Sequence, residues 1–156
     1  MTAPALIALA HGSRDPRSKA TIEELIAQVR HLRPDLIIET AYLDHAKPGF
    51  DTVVDRLRRR GVDEIVVVPL LLSEAYHARV DVPAAIEAAS ARHDGLLIRA
   101  SQVLGLEQVL LQVLDHRLRS ALANGRVREL DALVLAGTGS SDSLANQAVT
   151  RLARVW

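Results

Sequence analysis

The sequence predicts an α/β fold, an open and mainly parallel sheet flanked by helices, on three observations. Apolar runs of strand length recur along the chain, Ala5 to Ala10, Leu36 to Leu43 and Ile65 to Leu72 among them. The first, six small apolar residues with no polar alternation, marks a strand covered on both faces, as in parallel sheets. Each run leads into a segment with apolar residues at helical spacing, the pattern of right-handed strand-helix-strand crossovers. The carboxyl edge of such a sheet is where ligands bind.

Ala5 to Ala10 is the first strand, and it stops at His11-Gly12-Ser13-Arg14-Asp15-Pro16. Asp15 suits a helix N-cap and Pro16 a first helical residue, ahead of Ile22, Leu25, Ile26, Val29 and Leu32 on one face. Leu36 to Leu43, rich in branched and aromatic residues, is the second strand and ends in Asp44 and His45. Pro48 opens a second helix, with Phe50, Val53, Val54 and Leu57 inward and Gly61 closing it. In the third strand, Ile65 to Leu72, regular pairing is expected to finish near Pro69, which cannot donate to a ladder. A loop from Ser73 to Arg79 then carries His77, and Asp81 and Pro83 restart a helix through Ile86 and Ala89. Leu96 to Ala100 is a fourth strand, followed by a long helix from Leu106 to Leu122 that Gly125 ends. Ala132 to Ala136 is expected as a fifth strand, with a last helix starting near Asp142.

The ending repeats the beginning. Setting Leu133 to Leu152 on Leu6 to Leu25 pairs Gly139 with Gly12, Ser140 with Ser13, Asp142 with Asp15, Val149 with Ile22 and Leu152 with Leu25. Thr138 stands at the place of His11, and Ser141 at that of Arg14. The domain reading is therefore an α/β domain over residues 1–125 and the start of a degenerate, truncated second copy over 131–156. A chance likeness of two strand-turn-helix units is the alternative.

A chain of 156 residues with 49% hydrophobic and 24% charged residues has room for a real core. Nineteen basic residues balance nineteen acidic ones, which removes the bulk attraction that draws proteins to nucleic acid. Arg56, Arg58, Arg59 and Arg60 read as a solvated helix end whose cations complement the helix dipole. The absence of cysteine excludes disulfides, thiolate metal sites and cysteine nucleophiles, so any metal must use His, Asp or Glu. The first apolar run lacks the basic lead of a signal peptide, and no run spans a bilayer, so a cytoplasmic protein with no membrane partner is expected.

His11 and His77 both follow apolar strands, so a parallel sheet brings them to one edge. Two readings of the pair stand at this point: imidazoles sharing a divalent ion with coordination positions left open for exchange, or hydrogen-bonded loop residues. Asp44, His45 and Glu74 lie on the same edge, as groups that complete a metal site or take a proton, or as solvated loop residues. Ser13, Arg14, Lys47 and Arg79 suit the carboxylates of an anionic ligand. His31, His93 and His116 fall on helices, away from that edge, and read as surface residues. The Gly-Ser turn lacks the glycines of a nucleotide-binding loop.

His11-Gly12-Ser13-Arg14, then Tyr42-Leu43-Asp44 with Pro48, then Val68-Pro69-Leu70-Leu71-Leu72-Ser73 with His77, and finally Asp81-Val82-Pro83, resemble the sirohydrochlorin chelatases. These motifs fall in the family's order over about residues 5 to 100. The resemblance implies the class II chelatase fold and ATP-independent insertion of Co2+, Fe2+ or Ni2+ into sirohydrochlorin or a related tetrapyrrole, the metal being a substrate and no organic cofactor being needed. It places the metal on His11 and His77. Asp44 falls at the acidic position, commonly Glu in the family; the resemblance implies that it or a neutral imidazole accepts the pyrrole protons and that Ser13, Arg14, Ser73 and Arg79 hold the tetrapyrrole rim. The family's single-domain dimers and two-domain forms imply a homodimer or a second half facing the first. Competing readings are a non-catalytic metal or tetrapyrrole carrier and a histidine phosphatase. The latter looks for Arg before His-Gly, where this chain has Ala10.

Overall fold

Four strands, β1 (Ala5–Ala10), β2 (Ile38–Tyr42), β3 (Glu64–Pro69) and β4 (Leu97–Ala100), pair in parallel in the order β2-β1-β3-β4. Between and after them lie helices α1 (Pro16–Leu32), α2 (Phe50–Arg59), α3 (Val82–Arg92), α4 (Gln108–Gly125) and α5 (Ser143–Val155). This computed structural model describes residues 4–72, 77–105, 108–137 and 139–156, with the backbone alone at 77, 78 and 108. The chain forms two units, Met1–Leu104 and Gly105–Trp156. No helix among the described residues is long and apolar enough to cross a membrane.

In the first unit the sheet is covered on both faces, as the unalternating β1 requires. Ala5, Ile7 and Leu9 of β1 pack with Ile65 and Val67 of β3 against Phe50, Val53, Val54 and Leu57 of α2 and Val82 and Ala89 of α3. Ala8, one residue out of phase, packs instead with Ile38 and with Ile26 of α1. Ile7, Leu9, Leu57, Ile65 and Val67 are fully buried, and each such side chain contributes about 1.5–3 kcal/mol by leaving water. β1 pairs with β3 as far as Leu9 opposite Pro69, so the ladder ends where proline was expected to end it. The last link is Leu70 N–H donating to Leu9 O at 2.8 Å.

Glu23 ties α1 to β2. Its carboxylate accepts from Thr40 Oγ1 and from the Tyr42 hydroxyl, each at 3.3 Å. Burial and the neighbouring Glu23 charge push the Tyr42 hydroxyl up to about 12. Because the folded state disfavours tyrosinate, this contribution to stability is complete below about pH 10, the ordinary tyrosine value. It is lost as pH rises through about 12. Ultraviolet titration of the folded protein is expected to show one tyrosine ionising near the upper value and to lose that step in Tyr42→Phe; ionisation of Tyr42 at the ordinary value contradicts the burial.

Several expectations change. β2 begins at Ile38 rather than Leu36, because Leu36 N–H closes a turn on Arg33 O at 3.2 Å, although Ile37 O still accepts from Leu6 N–H. The helix expected to restart at Asp81 is preceded by a π-helical turn, His77–Asp81, that runs directly into α3. Ala132 to Ala136 is not a strand: it pairs with no described neighbour, and Val134 is 85% exposed. An apolar run does not make a strand without partners for its backbone N–H and C=O groups. The arginines ending α2 are not simply solvated, since Arg56 and Arg60 both pair with Glu39, and Arg58 pairs with Asp63 and the Asp94 carbonyl. His93 is half-buried rather than on the surface, its Nε2 lying 2.8 Å from Asp55 Oδ1, so that it links α3 to α2.

The second unit holds α4 and α5, with Ala145 and Leu152 of α5 buried and Gly137 packed on Val149. The turn before α5 is wired like the turn before α1. Asp142 N–H donates to Ser140 Oγ at 3.1 Å, and Leu144 N–H to Asp142 Oδ1 at 2.9 Å. The first unit has Asp15 N–H on Ser13 Oγ and Arg17 N–H on Asp15 Oδ1 at the same two distances, 3.1 and 2.9 Å. Gly12 and Gly139 precede the two turns with φ of 95° and 78°, in the left-handed region.

Candidate functional site

β1 lies between β2 and β3, so the chain leaves three neighbouring strands at one edge, with the switch in strand order between β1 and β3. His11 follows β1, Asp44 and His45 follow β2, and His77 follows the connection leaving β3. The first two exits are stitched together. Leu43 N–H donates to Ala10 O at 3.0 Å and Asp44 N–H to His11 O at 2.9 Å, carrying the parallel ladder past its last regular pair.

Gly12 makes this closeness possible. A β-carbon there would overlap the Asp44 carbonyl oxygen and lie 2.9 Å from its carbon, and the backbone is left-handed besides. The His-Gly pair is thus one device, with the glycine admitting the β2 exit to the backbone of the histidine. His11 is half-buried, with its Nδ1 inside the protein.

Asp44 turns its carboxylate onto the next residue. Oδ1 accepts from His45 N–H at 2.7 Å, and Oδ2 lies 3.3 Å from His45 Nε2. The Asp44 side chain is 63% exposed and so remains open to water. His45 itself has φ of 56°, a left-handed conformation uncommon for a residue with a β-carbon. Its ring meets that of His11 edge-on, with centroids 6.3 Å apart and planes at 81°. Sequence reasoning left His45 undecided; its position one residue beyond Asp44 was the available signal.

Ser13 Oγ caps the turn by accepting from Asp15 N–H, which leaves its hydroxyl hydrogen for a ligand. Arg17, through its guanidinium and then its N–H, holds the Asp15 carboxyl below the usual carboxylate range. Arg14 is exposed next to this helix start. Arg79 is exposed on the π-helical turn, a type of irregularity frequent at functional sites, and His77 is the first residue of that turn. The imidazole of His77 lies outside the described residues, as do Ser73, Glu74 and Thr138. The described residues therefore bring His11, Asp44 and His45 together, with Ser13 and Arg14 beside them. Among them no ready-made cluster of three metal-ligating side chains occurs.

Residues 5–121 match the CbiX family model. The chain belongs to the CbiX family. Among curated CbiX-like relatives, the sirohydrochlorin cobaltochelatase of Priestia megaterium is 28% identical over 147 residues, covering 93% of this chain and 47% of its own. A CbiX protein from Marinobacter aquaeolei superposes with a TM-score of 0.68 at 34% identity, covering 78% of this chain and 99% of its own. SirB from Bacillus subtilis, solved with Fe3+, superposes with a TM-score of 0.85 at 26% identity, covering 97% of this chain and 59% of its own. The parallel sheet flanked by helices is the fold of these proteins. The chain spans about half the length of the curated relatives it matches.

Proposed function

We propose that this site inserts a divalent metal, Co2+ or Fe2+, into sirohydrochlorin or a closely related tetrapyrrole without ATP or an organic cofactor. The observation that carries the reading is the meeting of His11 with Asp44 at the mouth of neighbouring parallel strands, in a CbiX family member whose relatives include a sirohydrochlorin cobaltochelatase. His11 and His77 hold the incoming ion, and neutral imidazole accepts cobalt, iron or nickel alike. Two protein ligands leave the remaining coordination positions for water and then for the pyrrole nitrogens. Insertion releases two protons as two metal–nitrogen bonds replace two N–H bonds. Asp44, exposed to water beside His11, takes a proton and passes it on. Ser13, Arg14, Ser73 and Arg79 engage the ring's carboxylates, Arg through its two-pronged geometry.

The same reading extends to the ending of the chain. The recurring Gly-Ser-x-Asp turn, matched in hydrogen bonds and in glycine conformation, supports residues 131–156 as the start of a second, degenerate copy of the domain. Pairing with a second copy of the chain, or with a second half, closes the cleft over the ring.

The test mixes purified chain, sirohydrochlorin and Co2+ or Fe2+ and follows the absorbance of the metallated product above the uncatalysed rate, with the sedimenting mass of the active species read on the same samples. Catalysed metallation is expected. Tight binding of metal or ring with no accelerated spectral change replaces the enzyme by a carrier, and hydrolysis of phosphomonoesters replaces it by a phosphatase.

A further inference from the structure

His45 has no role in the reading above, yet it is the residue that meets the His11 ring, and it does so from a backbone conformation that disfavours it. We propose that His45 is a further imidazole ligand for the incoming ion, acting with His11 as a docking point at the mouth of the site. This rests on the metal-handling role of His11 proposed above.

Three observations carry the inference. The first is span. An imidazole extends about 1.2 Å from centroid to nitrogen, and a nitrogen–metal bond adds about 2.0 Å. Two rings on one ion can therefore stand up to about 6.4 Å apart, and the His11 and His45 centroids are 6.3 Å apart.

The second is the carboxylate behind the ring. Asp44 Oδ2 lies 3.3 Å from His45 Nε2, within ion-pairing distance, so a negative charge stands beside the ring and favours a cation there. The Asp44 Oδ1 bond to His45 N–H, at 2.7 Å, holds the same residue by its backbone.

The third is the backbone. A φ of 56° at a residue other than glycine costs free energy that surroundings must offset, and such outliers gather at ligand sites. The ring is also reachable, since the His45 side chain is 38% exposed.

The experiment is a Co2+ titration of the whole chain without tetrapyrrole, read by calorimetry and by the visible ligand-field bands. His45→Asn and His45→Gly both suit left-handed backbone, so the loop conformation is kept while the imidazole is removed. Both are expected to weaken Co2+ binding by about tenfold or more and to alter the ligand-field bands, while the urea midpoint stays at the parent value or rises. Unchanged affinity and bands in both variants, with binding lost in His11→Asn, overturn the role of His45 and leave the metal reading standing. Unchanged binding in His11→Asn as well overturns both.

Discussion

Gly12→Ala will cost the protein more stability than any other single methyl group added at this edge, and with it the site. The added carbon must occupy the position of the Asp44 carbonyl oxygen, a backbone atom anchored by the bonds from Asp44 N–H to His11 O and from Ala46 N–H to Asp44 O. Left-handed backbone at a residue other than glycine or asparagine adds about 1–3 kcal/mol before any overlap is counted. A combined loss above about 3 kcal/mol, from a total stability on the order of 5–15 kcal/mol, is expected as a marked fall in the urea midpoint. Gly49→Ala is the matched control. Gly49 has φ of −70°, and a β-carbon there meets nothing within 4 Å, so its midpoint should hardly move. Equal midpoints for the two variants would mean that the β1 and β2 exits are not in backbone contact.

His11→Ala and His77→Ala will each lower metal insertion by about 10²-fold or more while leaving the helical circular dichroism intact. The double variant tests whether the two rings serve one ion. Groups acting as a unit are strongly non-additive, so the double loss should be hardly greater than the larger single loss. Multiplying losses would assign the histidines to separate tasks, and full activity in His77→Ala would remove that residue from the mechanism.

What the sequence made legible follows from how local each signal is. The β1 run, the Asp15 cap with Pro16 behind it, and the end of β3 at Pro69 were readable because each depends on residues that are neighbours in the chain. The fifth strand was misread for the opposite reason. Ala132 to Ala136 has strand composition, but a strand is a relation between segments, and composition does not say whether a partner is there. The meeting of His11 and Asp44 at one edge was readable because parallel strands all end on the same side of a sheet. The bond between their backbones, and the need for glycine between them, came only with the register of β1 against β2. His45 was harder still, since its ring is aimed by a left-handed backbone that no motif encodes. The ion pairs of the α2 arginines and of His93 join residues at least five positions apart in sequence, up to thirty-eight for His93 and Asp55, beyond the reach of helical spacing rules.

The arginines at the end of α2 have a consequence for polyanionic visitors. Arg56 and Arg60 share Glu39 at the start of β2, and Arg58 pairs with Asp63 just before β3, so these cations sit at the edge where strands begin, opposite His11. With carboxylates alongside them, the field they project into solvent is short-ranged and further damped by salt. The molecule as a whole carries no net charge, and Glu39 and Asp63 offset part of the charge on its densest run of guanidinium groups at the rear. A polyanion thus meets a weaker pull at the rear than four arginines alone would exert, which favours the orientation that the proposed insertion needs.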